Sequence, residues 1–109
     1  MTVGKLCELG EFEAVCLPEP EREINGAYIG DLLSWVMGRA RQDNAWITIM
    51  SNINVAAVAS LSDVSCVILA EGVTLDDDVA STAAQKGINV ISTSLAAYET
   101  ALLLGSIIQ

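Results

Sequence analysis

The sequence predicts an α/β domain built on a layered, mainly parallel sheet of about four to six strands flanked by helices. Three observations predict it. From Ala45 onward, β-rich apolar runs alternate with helical patterns in the order strand, helix, strand, helix, strand, helix. Each crossover is long enough to return the chain for another parallel strand. Finally, 52% of residues are apolar but only 5% are aromatic, so the core must be filled by Val, Ile, Leu and Ala, as where helices pack on a parallel sheet. A chain of 109 residues has room for one such domain, spanning residues 1–109, and no second folded unit.

The elements follow in order. Val3, Leu6, Cys7 and Leu9 share one face ahead of Gly10, which predicts a short helix ending at that glycine. Glu11 to Leu17 alternates and stops at Pro18 and Pro20, the pattern of a short strand followed by a turn. Glu21 to Ile29 is a second extended segment with Ile24 and Tyr28 inward. Gly30 and Asp31 open a helix from Leu32 to Met37 that runs up to Gly38, with Arg39 and Arg41 near its negative end. Ala45 to Met50 is a central strand. Asn54 to Leu61, small and alanine-rich, is a helix that can sit close on the sheet. Ser65 to Ala70 is the next strand. Asp76, Asp77 and Asp78 then lead a helix to Lys86, with Gly87 as its C-terminal stop. Ile88 to Ile91 is the last strand. Ser92, Thr93 and Ser94 are placed to cap a final helix from Leu95 to Ile107, with Leu95, Tyr98, Leu102 and Gly105 at helical spacing.

Composition excludes several functions. Five basic against fourteen acidic residues give a net charge of -9, which opposes the attraction that supplies most affinity for nucleic acid or an anionic membrane. The three cysteines, Cys7, Cys16 and Cys66, are isolated and odd in number, so neither a disulfide framework nor a zinc site is indicated and a structural role is favoured. No leader pattern and no apolar run long enough to span a bilayer is present, so a cytoplasmic location is expected. The chain has no histidine, which removes the most common general base and transition-metal ligand. Neither glycine-rich phosphate motif occurs. No catalytic residue, cofactor or metal is therefore assigned.

Candidate sites follow from the fold class. In open parallel sheets, ligands bind beyond the carboxyl ends of the strands, which directs attention to Asn52 and Asn54, Glu71 and Gly72, and Ser92 and Thr93. These residues also suit helix capping, which needs no ligand. Asp31, at a helix start, gains from the helix dipole, a structural role favoured over a catalytic one. Asp76, Asp77 and Asp78 point in different directions around one turn and read as a solvated helix start rather than a metal site. Tyr28, Trp35 and Trp46 are core or subunit-interface candidates. A mean hydropathy of +0.49 in so small a domain favours apolar surface covered by a homodimer.

The stretch from Gly26 to Met37, the runs Ala45 to Met50, Asn54 to Leu61 and Cys66 to Gly72, and the ending Gly87 to Thr93 carry the patterns G-D-L-L-S-x-V-M and W-I-T-x-x-x-N-x-N-x-x-A-V-A-S-L. Together they resemble the DRTGG domain family across essentially the whole chain. The literal Asp-Arg-Thr-Gly-Gly string is absent, and Glu71 to Asp76 occupies the comparable loop. Such domains are similar to the amino-terminal part of HPr kinase/phosphorylases. They also occur in some phosphate acetyltransferases and between the CBS domains of regulated pyrophosphatases. The resemblance implies a non-catalytic regulatory or dimerisation module that modulates a partner enzyme, with no transferable catalytic residues. The alternative is a small-ligand sensor for an adenine nucleotide or phosphometabolite, held by backbone N–H groups at helix N-termini.

Overall fold

Why the chain forms one sheet is clearest from its alternation. In the computed structural model, which describes residues 1–108, a first turn of helix, α1 (Val3–Leu6), precedes β1 (Glu13–Cys16). There follow β2 (Gly26–Ile29), α2 (Leu33–Arg39), β3 (Asn44–Thr48), α3 (Asn54–Ser62), β4 (Cys66–Leu69), α4 (Asp77–Gln85), β5 (Val90–Ser92) and α5 (Ala97–Ile107). The strands form one five-stranded sheet in the order β1-β5-β4-β3-β2, with β2 to β5 parallel and β1 antiparallel on β5. The α/β layered fold is thus as the sequence predicts.

Successive strand residues point to opposite faces, and both faces are covered. Trp46, Val67, Leu69 and Val90 pack with Val36, Val55, Ala59 and Ala83 beneath α2, α3 and α4. Ala45, Ile47, Cys66, Ile68 and Ile91 pack with Val3, Leu6, Phe12 and Leu104 beneath α1 and α5. The β3 and β4 residues, apart from Asn44 at the start of β3, are buried because they are central and sandwiched. Burying them contributes about 1.5–3 kcal/mol for each large aliphatic side chain.

Polar groups pin the ends. Asn89, 1% exposed, accepts from Glu19 N at 2.9 Å and donates to Glu19 O at 2.7 Å and Ser65 O at 2.9 Å. Those bonds lock the linker between the two prolines to β4 and β5. Ser65 Oγ donates to Glu23 O, fixing the approach to β2. Gly87 (φ 75°) follows α4 as expected of a residue that must turn left-handed.

Several expectations are corrected. The first helix ends at Leu6, with Cys7 as its C-cap, rather than at Gly10, because the following bonds tighten to three-residue turns, Glu8 N to Lys5 O and Leu9 N to Leu6 O, both at 3.1 Å. The second helix runs through Gly38 to Arg39 and leaves only Val36 buried. The serines and threonine at 92–94 do not cap α5: Ser92 belongs to β5, and α5 begins at Ala97 with no side-chain cap. The reason lies in the loop. Thr93 O and Leu95 O accept from Gly72 N and Glu71 N, both at 2.9 Å, which ties the bend after β5 to the turn after β4 before the helix can start. The stripe of Tyr98 and Leu102 on α5 points outward, 68% and 56% exposed, while Thr100 and Leu104 are buried.

Candidate functional site

The winding of the sheet creates one natural crevice. After β4 the chain turns to α4 on one face, and after the adjacent β5 it turns to α5 on the other. Neighbouring strands whose connections diverge in this way open a gap at their carboxyl ends, the usual ligand position in such sheets. A cavity of about 320 Å³ lies there, lined by Gly72 and Thr74 after β4, Ser92, Thr93 and Ser94 at the end of β5, and Gly10, Glu11 and Glu13 from β1 and the turn before it.

Local geometry shapes each wall. Glu71 (φ 62°) and Gly72 (φ 73°) are successive left-handed residues, a sharp turn that leaves the Gly72 backbone open to the cavity; a Cβ there would meet nothing within 4 Å. Thr93 is buried, and its Oγ1 accepts from Leu95 N at 3.2 Å. Glu13 stands opposite Ser92 in the antiparallel pairing of β1 with β5. Directly paired residues share a face of the sheet, so the carboxylate and the hydroxyl project to the same side.

The sequence-derived residues divide accordingly. Gly72, Ser92 and Thr93 come together in the cavity, whereas the Glu71 side chain is exposed and contributes the turn. Asn52, in the turn after β3, and Asn54, the first residue of α3, do not line it. Asn52 Oδ1 accepts from Asn54 N at 2.9 Å, a local turn ahead of α3, whose N-cap is Ile53. Asp31 does not cap α2 either, since Leu32 holds that position. Its Oδ1 accepts from Thr48 Oγ1 at 2.7 Å and Ile49 N at 3.0 Å, tying the exit of β2 to that of β3.

Among the aromatic candidates, Trp46 is fully buried and donates from Nε1 to Gly30 O at 2.8 Å, so it is core and cannot reach a partner. Tyr28 is half-buried against the same core layer. Trp35 is 54% exposed, with the Arg39 guanidinium 3.9 Å from its ring centre. Gly10, Glu11 and Glu13 escaped the sequence reading because only the long-range pairing of β1 with β5 brings them to the site. Burial pushes the thiols of Cys7 and Cys66 up, and that of Cys16 as well despite an opposing backbone hydrogen bond. Thiols so shifted are poor nucleophiles at neutral pH.

Comparison with known proteins agrees with this architecture. One solved structure is similar at a TM-score of 0.67 and 17% identity, over 85% of this chain and 41% of the other. It contains the CBS and DRTGG domains of the regulatory region of Clostridium perfringens pyrophosphatase, complexed with the activator diadenosine tetraphosphate. This chain therefore spans less than half of that one. At such low identity the likeness shows a shared fold. No curated protein matches the sequence. The DRTGG domain family matches residues 19–107, from the linker before β2 to the end of α5, and the chain belongs to that family.

Proposed function

We propose that this chain is a non-catalytic regulatory module that self-associates and modulates a partner enzyme. The observation that carries the reading is an apolar rim at the carboxyl ends of β2 and β3, on which the Arg39 guanidinium stacks over one member, Trp35. Ile29, Leu32, Trp35, Ile49 and Ile53 are each about half exposed there. Between Gly26 and Met37 and between Ala45 and Leu61, Asp31 is the sole charged residue, and one of its oxygens already accepts two hydrogen bonds. Two chains of net charge -9 repel one another overall, and a surface with few acidic groups is one on which two copies approach at low cost. The rim adjoins β2, a free sheet edge. An edge strand presents unpaired backbone groups that can pair with a second chain.

Light scattering of the purified protein over a concentration series tests the reading. A dimer is expected, and Trp35→Glu, a change at an exposed position, is expected to convert it to monomer. A wild-type protein that stays monomeric at tens of micromolar overturns the self-association.

A second reading, small-ligand sensing, is favoured by the cavity at the β4 and β5 exits. The family relationship supports either reading, since the similar pyrophosphatase region is regulatory and its structure holds a nucleotide activator. Adenine nucleotides and phosphometabolites are accordingly the first ligands to add to the same scattering series. A dimer that tightens with one of them favours the sensor.

A further inference from the structure

The chemistry of the cavity narrows the ligand, on the ligand-sensing reading above. The residues that line it carry the hydroxyls of Thr74, Ser92, Thr93 and Ser94 and the carboxylates of Glu11 and Glu13, the two glutamates being exposed; no lysine, arginine or aromatic residue lines it. A phosphate placed there would face two carboxylates with no cation to offset them, a like-charge arrangement that disfavours binding. A purine base would find no ring to stack on. An ionised carboxylate is an acceptor with two oxygens, matched to two adjacent hydroxyl donors, and an acidic side chain reading ribose hydroxyls is a recurring solution in parallel α/β sheets. The opposed pair of Glu13 and Ser92 offers such an acceptor beside a group that both donates and accepts. The Gly72 turn lets a ligand approach the backbone, and about 320 Å³ falls at the small end of ligand pockets, room for a sugar.

We propose that this cavity binds the vicinal diol of a sugar, with Glu13 and Ser92 as the reading pair, and leaves any phosphate of the ligand outside in solvent. Free sugars and the ribose of a nucleoside share that chemistry.

Amide NMR of the whole chain tests the assignment with four probes: ribose, adenosine, dideoxyadenosine lacking the diol, and tripolyphosphate. Adenosine is expected to shift the amides of Gly10, Gly72, Ser92 and Ser94. Dideoxyadenosine should bind at least about tenfold more weakly, the scale of one lost hydrogen bond to a charged acceptor. Glu13→Gln and Ser92→Ala, both away from the core, should weaken adenosine comparably without moving distant amides. Shifts with ribose as well as adenosine identify a free sugar as sufficient; shifts with adenosine alone identify a nucleoside. Equal binding of dideoxyadenosine, or unchanged binding by both variants, overturns the diol assignment. Tripolyphosphate moving the same amides overturns it too, but leaves the cavity a ligand site. No response to any probe overturns both the diol and the sensing reading.

Discussion

Cys66 has no solvent contact and pairs across the sheet with Ala45 in the layer beneath α1 and α5. Burial pushes its thiol well up from the ordinary value of 9.0, the neighbouring Cys7 adds to the rise, and Arg22 opposes it weakly. The consequence for stability has a definite sign. Below the ordinary value the thiol is neutral in both folded and unfolded chains, so its packing is fully retained. Above it the unfolded chain ionises while the folded one cannot, and stability falls by about 1.4 kcal/mol for each further pH unit. Urea midpoints for wild type and Cys66→Ala, taken between pH 7 and about pH 10, should therefore converge as pH rises. Parallel curves would mean that the thiol ionises in place. Trp46 and Asn89 show how unevenly such roles can be read in advance. An aromatic inside a β-rich run announces a core strand. An asparagine at the start of a strand says nothing of the two carbonyls and one N–H that it satisfies far along the chain.

Among the elements, the returns from helix to strand are tied by one arginine. Asp43 (φ 67°) and Asp63 (φ 54°) are left-handed residues in the connections that follow α2 and α3. Arg22 donates to Asp43 Oδ1 at 2.6 Å, Asp63 Oδ1 at 3.0 Å and Asp63 O at 2.9 Å. Partial burial opposes its charge, but the bonds and attraction from both aspartates outweigh that and raise its pKa. Arg22→Met should cost about 1–2 kcal/mol, less than a buried pair because Asp63 is half exposed. The same variant should leave the amide shifts of Gly72 and Ser92, at the other end of the strands, unchanged; no loss in urea midpoint would reduce the cluster to solvated surface pairs. The sequence makes β3, α3, β4, α4 and β5 legible because each is a single apolar pattern bounded by breakers. It leaves two features obscure. The pairing of β1 with β5 joins segments whose local patterns carry no mutual address, and its register even slips between Ala14 and Cys16; half the cavity depends on it. The α5 helix carries apolar residues on both sides, so period alone could not say that Leu104 goes in and Leu102 stays out.

At the scale of the molecule, β2, β3, β4 and β5 are laid down side by side in one direction, and the chain then changes face once. That single change places the cavity near one edge of the sheet and leaves the free β2 edge with its apolar rim near the other. The α5 helix spans the two regions: the segment before it accepts a bond from Glu71 beside the cavity, and its body packs on β2 and β3. The distribution of charge then makes the two kinds of self-association separable. If copies meet through the apolar rim, attraction comes from apolar burial, which salt does not weaken, while two chains of -9 each repel through solvent over a Debye length of about 10 Å at 0.1 M salt. Raising salt about tenfold from low ionic strength should therefore tighten the dimer severalfold in sedimentation equilibrium. If the contact instead engages Arg41 or Lys86 with acidic groups of the second copy, screening removes the attraction and the dimer weakens. The direction of the salt dependence thus distinguishes a contact made by apolar burial from one made by ion pairs, before any interface is seen.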